Sequence, residues 1–205
     1  TISEIILFIF FSPFLIFALI IIRLLRPFIL IRFGQITLYI LGHFVFDTEY
    51  YLSEKEHYNT KSLDLFYYRY KYKSHKKPPN EQWDLMVRRC IKVNFLFKYF
   101  YKINNILPGS KPHIIQTNIE KYGSRDIEGI FMSNKCHINF TNDENDRGFQ
   151  FLEQIGLNSS QKFICLIVRD SSYKNKYQNW KNDWSYQNHR NSDVQSYENA
   201  SKTLA

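Results

Sequence analysis

Residues 5–22 carry no charge at all, and this constrains the 205-residue chain more than any other segment. Only Ser12 and Pro13 interrupt an otherwise apolar run, and as a helix it reaches about 27 Å, close to the hydrocarbon thickness of a bilayer. Two arrangements satisfy such a run. It crosses the membrane once, or it bends at Pro13 and stays in the leaflet or in a buried hairpin. Glu4 precedes the run while Arg23, Arg26 and Arg32 follow it, so the positive-inside bias places everything after Arg23 in the cytoplasm, at the inner membrane. A cleaved leader would need basic residues before the run and small residues after it; Arg23-Leu-Leu-Arg-Pro27 follows instead. Residues 1–26 are therefore read as a membrane anchor.

The remainder is foldable: hydrophobic residues make up 44% of the chain, and the 27 Lys and Arg exceed the 19 Asp and Glu by 8. Cys90, Cys136 and Cys165 are odd in number and lack metal-ligand spacing, so neither a disulfide framework nor a structural metal is expected, and Cys165 reads as a small core residue. The chain opens on Thr1 and stops inside a helical run that starts at Ser192 or Asp193, which makes a piece of a longer protein the expectation.

Residues 27–34 read as a last membrane contact or a first buried strand. Residues 42–55 read as a helix with Phe44, Val45, Thr48, Tyr51 and Leu52 on one face. Residues 62–68 suit a second strand, residues 80–90 a helix capped by Asn80, and Ile114-Ile115 a short strand. Residues 143–157 suit a helix ended by Gly156, and residues 163–168 form an apolar run fit for a buried parallel strand. This alternation predicts an α/β fold: a Rossmann-like N-terminal domain over residues 27–157, then the first strand and helix of a second such domain over residues 158–205.

Between Lys55 and Lys102 there are 12 Lys and Arg against 4 Asp and Glu, with aromatics interleaved. Such a stretch suits an anionic leaflet, stacked nucleic acid, or simply a solvated face. A non-catalytic, membrane-tethered module using this stretch on lipid or nucleic acid is the rival to an enzyme.

The chemistry-bearing residues fall in two places. A strand over residues 163–168 would deliver Arg169 and Asp170 to the crevice at the carboxyl end of a parallel sheet, where Arg suits a diphosphate and Asp a sugar hydroxyl. The same two residues would equally serve as a structural pair tying down the loop. His43, beside Gly42 at a helix start, is kept neutral by the helix dipole and is a candidate general base, or else a structural histidine of a βα turn. Glu49 is the other candidate base, although it is expected on the helix body, facing solvent. Asp143, Glu144 and Asp146 sit where carboxylates complement a helix start, and no metal site is proposed.

The segment Cys165-Leu-Ile-Val-Arg-Asp-Ser-Ser-Tyr173, followed by Asp183-Trp184, Arg190-Asn191 and Tyr197, resembles a bacterial glycosyltransferase family of surface-polysaccharide gene clusters. Ile31-Arg-Phe-Gly34, Gly42-His43, Asp47-Thr-Glu-Tyr-Tyr-Leu52, Asn139-Phe-Thr141 and Gly148 are similar as well. The resemblance implies a GT-B-like enzyme of two Rossmann-type domains that moves a sugar from a nucleotide-sugar donor to a glycan or lipid-linked acceptor. It implies no cofactor and no nucleic-acid partner. On it, Arg169, Asp170 and Tyr173 would meet the donor, and Arg190 with Asn191 would order the loop or touch the nucleotide. Gly42 and His43 would face the cleft. The chain is also loosely similar to fucosyltransferases with a strand-end H-x-R, but Ile167 stands at the histidine position.

Overall fold

The computed structural model of the chain describes residues 2–70, 77–158, 161–170 and 185–204, with side chains from residue 10 onward except that of Gln187. It divides into two units, residues 1–140 and residues 141–205.

The first unit is built on a four-stranded sheet of order β3-β2-β1-β4, made from β1 (Ile31–Thr37), β2 (Leu63–Arg69), β3 (Lys92–Val93) and β4 (Ile114–Ile115). All pairings are parallel: β1 runs along β2 from Ile31 opposite Leu63 to Thr37 opposite Arg69, β4 sets Ile115 against Gly34, and β3 sets Val93 against Phe66. A parallel sheet needs both faces covered, and the strand alternation supplies two apolar faces. Ile36, Phe66, Tyr68 and Ile115 pack with Phe44 and Tyr51 of α2 (Leu41–His57) and with Met86 and Val87 of α3 (Glu81–Cys90). Phe33, Ile31 and Leu65 point the other way, toward α1 (Ile2–Leu24) and α4 (Phe97–Ile106). The α/β expectation holds, and residues 31–34 belong to a strand.

Gly34 permits the closeness of these layers. A Cβ there would stand 2.5 Å from the Phe66 ring and 3.1 Å from Ile115 Cβ, so no larger residue fits between β2 and β4. At the amino end of the same face, buried Asp64 accepts bonds from Arg32 Nε and Nη2 at 2.8 and 2.9 Å, Lys55 Nζ at 2.7 Å and Tyr51 Oη at 2.5 Å. Burial alone would raise its carboxyl, but these donors prevail and hold it well below the usual carboxylate range.

The N-terminal helix is not a free anchor. Leu19 is fully buried, and Leu15, Ile16 and Ile22 pack with it against Phe33, Phe97, Phe100 and Ile103, while Arg23 Nη2 donates to Asn104 Oδ1 at 3.0 Å. The run read as a membrane anchor thus spends one side of its second half on the sheet and α4. Among the described residues no helix is long and apolar enough to cross a membrane; the side chains of residues 2–9 lie outside that statement.

Two shorter helices, α5 (Asn118–Tyr122) and α6 (Ile130–Ser133), and the segment behind α6 pack along α2. Phe131 of α6 meets the rings of Phe46 and Tyr50 at 5.0 and 5.4 Å. Glu49, expected to face solvent, is half-buried instead: it accepts from the amide and Nδ1 of His137 at 2.7 and 2.9 Å and from the Ile138 amide at 3.0 Å. The carboxylate is drawn inward because these amides have no ladder partner of their own.

In the second unit, α7 (Asn142–Gln154) starts with a reciprocal capping box between Thr141 and Glu144, and Gly156 takes a left-handed φ of 90° beyond its end. Residues 163–168, expected as a buried strand, pair with no strand among the described residues, and Ile164 and Ile167 are 65% and 88% exposed. An extended run gains ladder bonds and cover only from neighbours, and the described residues supply none. Cys165, expected in the core, is exposed for the same reason. Asp193 caps the short helix Val194–Tyr197 by accepting from the Gln195 amide, and α8 (Glu198–Leu204) follows.

Candidate functional site

Chain order and strand order together locate the switch point of the sheet. From β1 the chain runs through α2, β2 and α3 to β3 on one face, then returns through α4 on the other face to β4, which lies beside β1. The carboxyl ends of β1 and β4 are where such sheets place ligand-binding residues. His43 follows β1, and Ser124 follows β4 by way of α5.

Each of these residues is held by local chemistry. Helix α2 begins without a side-chain cap at Ile40, so the amides of its first turn, Gly42 and His43 included, are not claimed by a capping side chain. Gly42 is exposed, and nothing lies within 4 Å of where a Cβ would stand. Helix α5 opens with a capping box of Thr117 and Glu120 and ends at Gly123, with φ of 65°; Ser124 follows at φ 57°. Asn118 pins that turn from inside, accepting from the Arg125 amide at 2.8 Å and donating Nδ2 to the Arg125 carbonyl at 3.0 Å. A left-handed serine is unfavourable by about 1 kcal/mol, so the turn is fixed by these bonds and not by serine's own preference.

The result is a polar chain of three side chains. His43 Nδ1 stands 2.6 Å from Ser124 Oγ, and Ser124 donates its hydroxyl to Asp47 Oδ1 at 2.9 Å. A serine has one proton to give, and it goes to Asp47; the short contact to His43 therefore requires His43 Nδ1 to carry the proton and donate it to Ser124. Neutral His43 is then left with a bare lone pair on Nε2, to which no hydrogen bond is made among the described residues. Burial lowers the His43 pKa, which keeps this neutral tautomer populated near pH 7. Asp47 is 1% exposed, and burial raises its carboxyl to about 6 against the Ser124 bond and the Ile119 main chain, with Glu120 adding to the rise. Its Oδ2 is buried without a hydrogen-bond partner.

His43 was readable in the sequence as a base, but without a partner. Asp47, one helical turn on, was the local signal: an acid at i+4 shares the histidine's face. Ser124 is 81 residues away from His43 and carries no local signal at all.

The other predicted residues lie in the second unit. Arg169 is half-buried and Asp170 exposed; the Arg169 carbonyl accepts from the Ser192 amide at 3.0 Å, and Tyr197 Oη donates to Ser192 Oγ at 3.2 Å. The loop holding Arg190 and Asn191 is thereby brought back beside Arg169, with Asn191 N–H bonded to the Asn188 carbonyl at 2.9 Å. Tyr173, Asp183 and Trp184 lie outside the described residues.

A cavity of about 570 Å³ lies along α2 toward its far end, lined by Arg32, Tyr51, Lys55, Tyr58, Lys111 and Lys121 among others. Arg32 and Lys55 are held by Asp64, and Lys121 by Glu54 at 2.5 Å, so most of its cations already have counter-charges. The basic stretch from Lys55 to Lys102 does not form one surface either: Lys55, Arg88 and Arg89 lie on the α2–α3 side, Lys98 and Lys102 on α4 across the sheet, and Lys71, Lys73 and Lys76 outside the described residues. Comparisons of the chain with protein-family models, with curated proteins and with solved structures find no match.

Proposed function

We propose that the chain is part of a membrane-associated, GT-B-like glycosyltransferase in which His43 is the general base toward the acceptor. The observation that carries this reading is the proton order Nδ1–H to Ser124 to Asp47, which leaves Nε2 of His43 ready to accept. An acceptor hydroxyl would give its proton to Nε2 as its oxygen bonds to the anomeric carbon. The bond from that carbon to the donor diphosphate would break, with the electron pair leaving on the phosphate oxygen. The imidazolium formed would donate to Ser124 while Asp47, through the serine, balances its charge. Arg169 of the second unit is assigned to the leaving diphosphate by the resemblance of its segment, its planar fork being suited to phosphate oxygens. The split of the basic stretch between two sheet faces gives less support to the rival binding module.

The test is release of nucleoside diphosphate from a panel of nucleotide-sugars by the complete protein in membranes. His43→Gln is expected to lower turnover at least 100-fold with donor binding intact, and Arg169→Ala to weaken donor binding. Unchanged turnover in His43→Gln rejects the base assignment, and failure of every donor to bind rejects the transferase reading.

A further inference from the structure

From Phe10 onward, helix α1 has two apolar sides, one packed on the sheet and α4 and the other exposed. Opposite the side packed on the sheet, Phe10, Phe14, Phe17 and Leu24 are 66%, 69%, 66% and 71% exposed, and Phe28 just beyond the helix is 87% exposed. Their spacing of three, four or seven residues puts the helical four on one ridge. Beside the ridge, the turn leading into α4 adds Phe95 at 72% and Leu96 at 49% exposure. Between the two helices runs a groove of about 370 Å³ lined by Phe11, Phe14, Leu15, Phe95, Leu96 and Phe100 with Tyr99. An apolar area this continuous is not left to water without a purpose.

The charges around it select the occupant. From residue 5 to residue 46 and from residue 85 to residue 119 there is not one Asp or Glu, while Arg26, Lys98 and Lys102 are exposed beside the groove-forming residues. A second copy of this chain would bring like charges together at the same contact. An anionic lipid leaflet meets both requirements, chains for the aromatics and phosphates for the cations.

We propose that α1 and the start of α4 together form a rigid membrane-docking surface, seated in an anionic leaflet with acyl chains in the groove between them. This rests on the membrane association proposed above. Because α1 is packed from Leu15 onward against Phe33 and α4, and Phe11 and Phe14 border the groove with Phe95 and Phe100, the ridge is fixed to the domain alongside that groove. The domain therefore lies flat on the membrane and does not hang from a tether.

Environment-sensitive labels test this in the full chain with the three native cysteines replaced, on vesicles of phosphatidylcholine with phosphatidylglycerol. Labels at Phe14→Cys, Phe95→Cys and Leu96→Cys are expected to be quenched by chain-borne nitroxides. A label at Leu85→Cys, exposed on α3 across the sheet, is expected to stay in water. Lys98→Gln with Lys102→Gln is expected to weaken partitioning by roughly 30-fold at low salt. Binding with residue 14 immersed but residues 95 and 96 in water overturns the proposal and leaves membrane association standing. Failure to bind any vesicle removes both. Protection of residues 95 and 96 without vesicles, in step with self-association, assigns the groove to a second copy and also overturns the proposal.

Discussion

Replacing Asp47 by Asn separates the energetic cost of the buried carboxylate from its chemical use. In the folded chain burial moves this carboxyl from 3.8 to about 6, so the fold prefers it protonated. Its stabilising contribution is complete below about pH 4 and is lost as pH rises through 6; a carboxyl raised by about 2 pH units weakens the fold by roughly 3 kcal/mol once it is ionised in both states. Asparagine does not titrate. Its Oδ1 still accepts from Ser124, while its amide stands where Oδ2 has no partner and adds a pH-independent cost of about 1–3 kcal/mol. Urea unfolding of both proteins from about pH 4 to pH 8 gives the comparison, because Asp64 and His137 titrate in each and cancel in the difference. The variant is expected to gain on wild type by roughly 3 kcal/mol across that window, most steeply near pH 5, between the unfolded and folded values, and to level off above about pH 6. A difference that stays flat refutes the account of a carboxyl strained by burial beside His43.

Leu19→Ala is expected to cost about 2–5 kcal/mol in urea unfolding, because the residue is fully buried between α1, Phe33 and Ile103; a cost near zero would mean that α1 is not part of the core. Gly34→Ala should destabilise by about 1–3 kcal/mol, since the new methyl meets Phe66 and Ile115, and Phe66→Leu should recover part of that in a double-mutant cycle. Asp64→Asn leaves Arg32 and Lys55 without their counter-charge and is expected to cost about 3–5 kcal/mol near neutral pH. Wild type should lose that advantage as pH falls below about 4, since a carboxyl held low stabilises only while it is ionised. For His137, burial is outweighed by Glu49 and Glu56, which raise its pKa. Hydrogen-exchange protection of the Ile138 amide is expected to weaken as pH rises through that raised value and to be pH-independent there in His137→Gln.

The parts of this fold that were legible are those in which one residue's neighbours along the chain settle the question. Asn80 behind Pro78-Pro79 announced the start of α3, and its side chain does accept from the Trp83 amide at 2.8 Å. The alternation of β2 and the face of α2 carrying Phe44, Thr48 and Tyr51 follow the same logic. Long-range partnerships were not legible. The inward side of α1 has the same apolar character as its outward side, so nothing in the run distinguishes the residues that meet Phe33 from those left exposed. Ser124 and Asn118 do their work through a turn that no periodicity marks, and Glu49 turns inward only because the amides of His137 and Ile138 await it. Residues 163–168 show the reverse: an apolar run promises a strand, but a strand exists only where another stands beside it.

The packing of the N-terminal helix against the sheet bears on how this chain should be produced. Trimming a hydrophobic leader is the usual route to a protein that stays in solution, and here a cut after Arg26 would strip the cover from Phe33, Phe100 and Ile103. The shortened product would leave that face of the sheet covered by α4 alone and is expected to precipitate. Keeping the helix and supplying detergent or nanodiscs preserves what the sheet leans on.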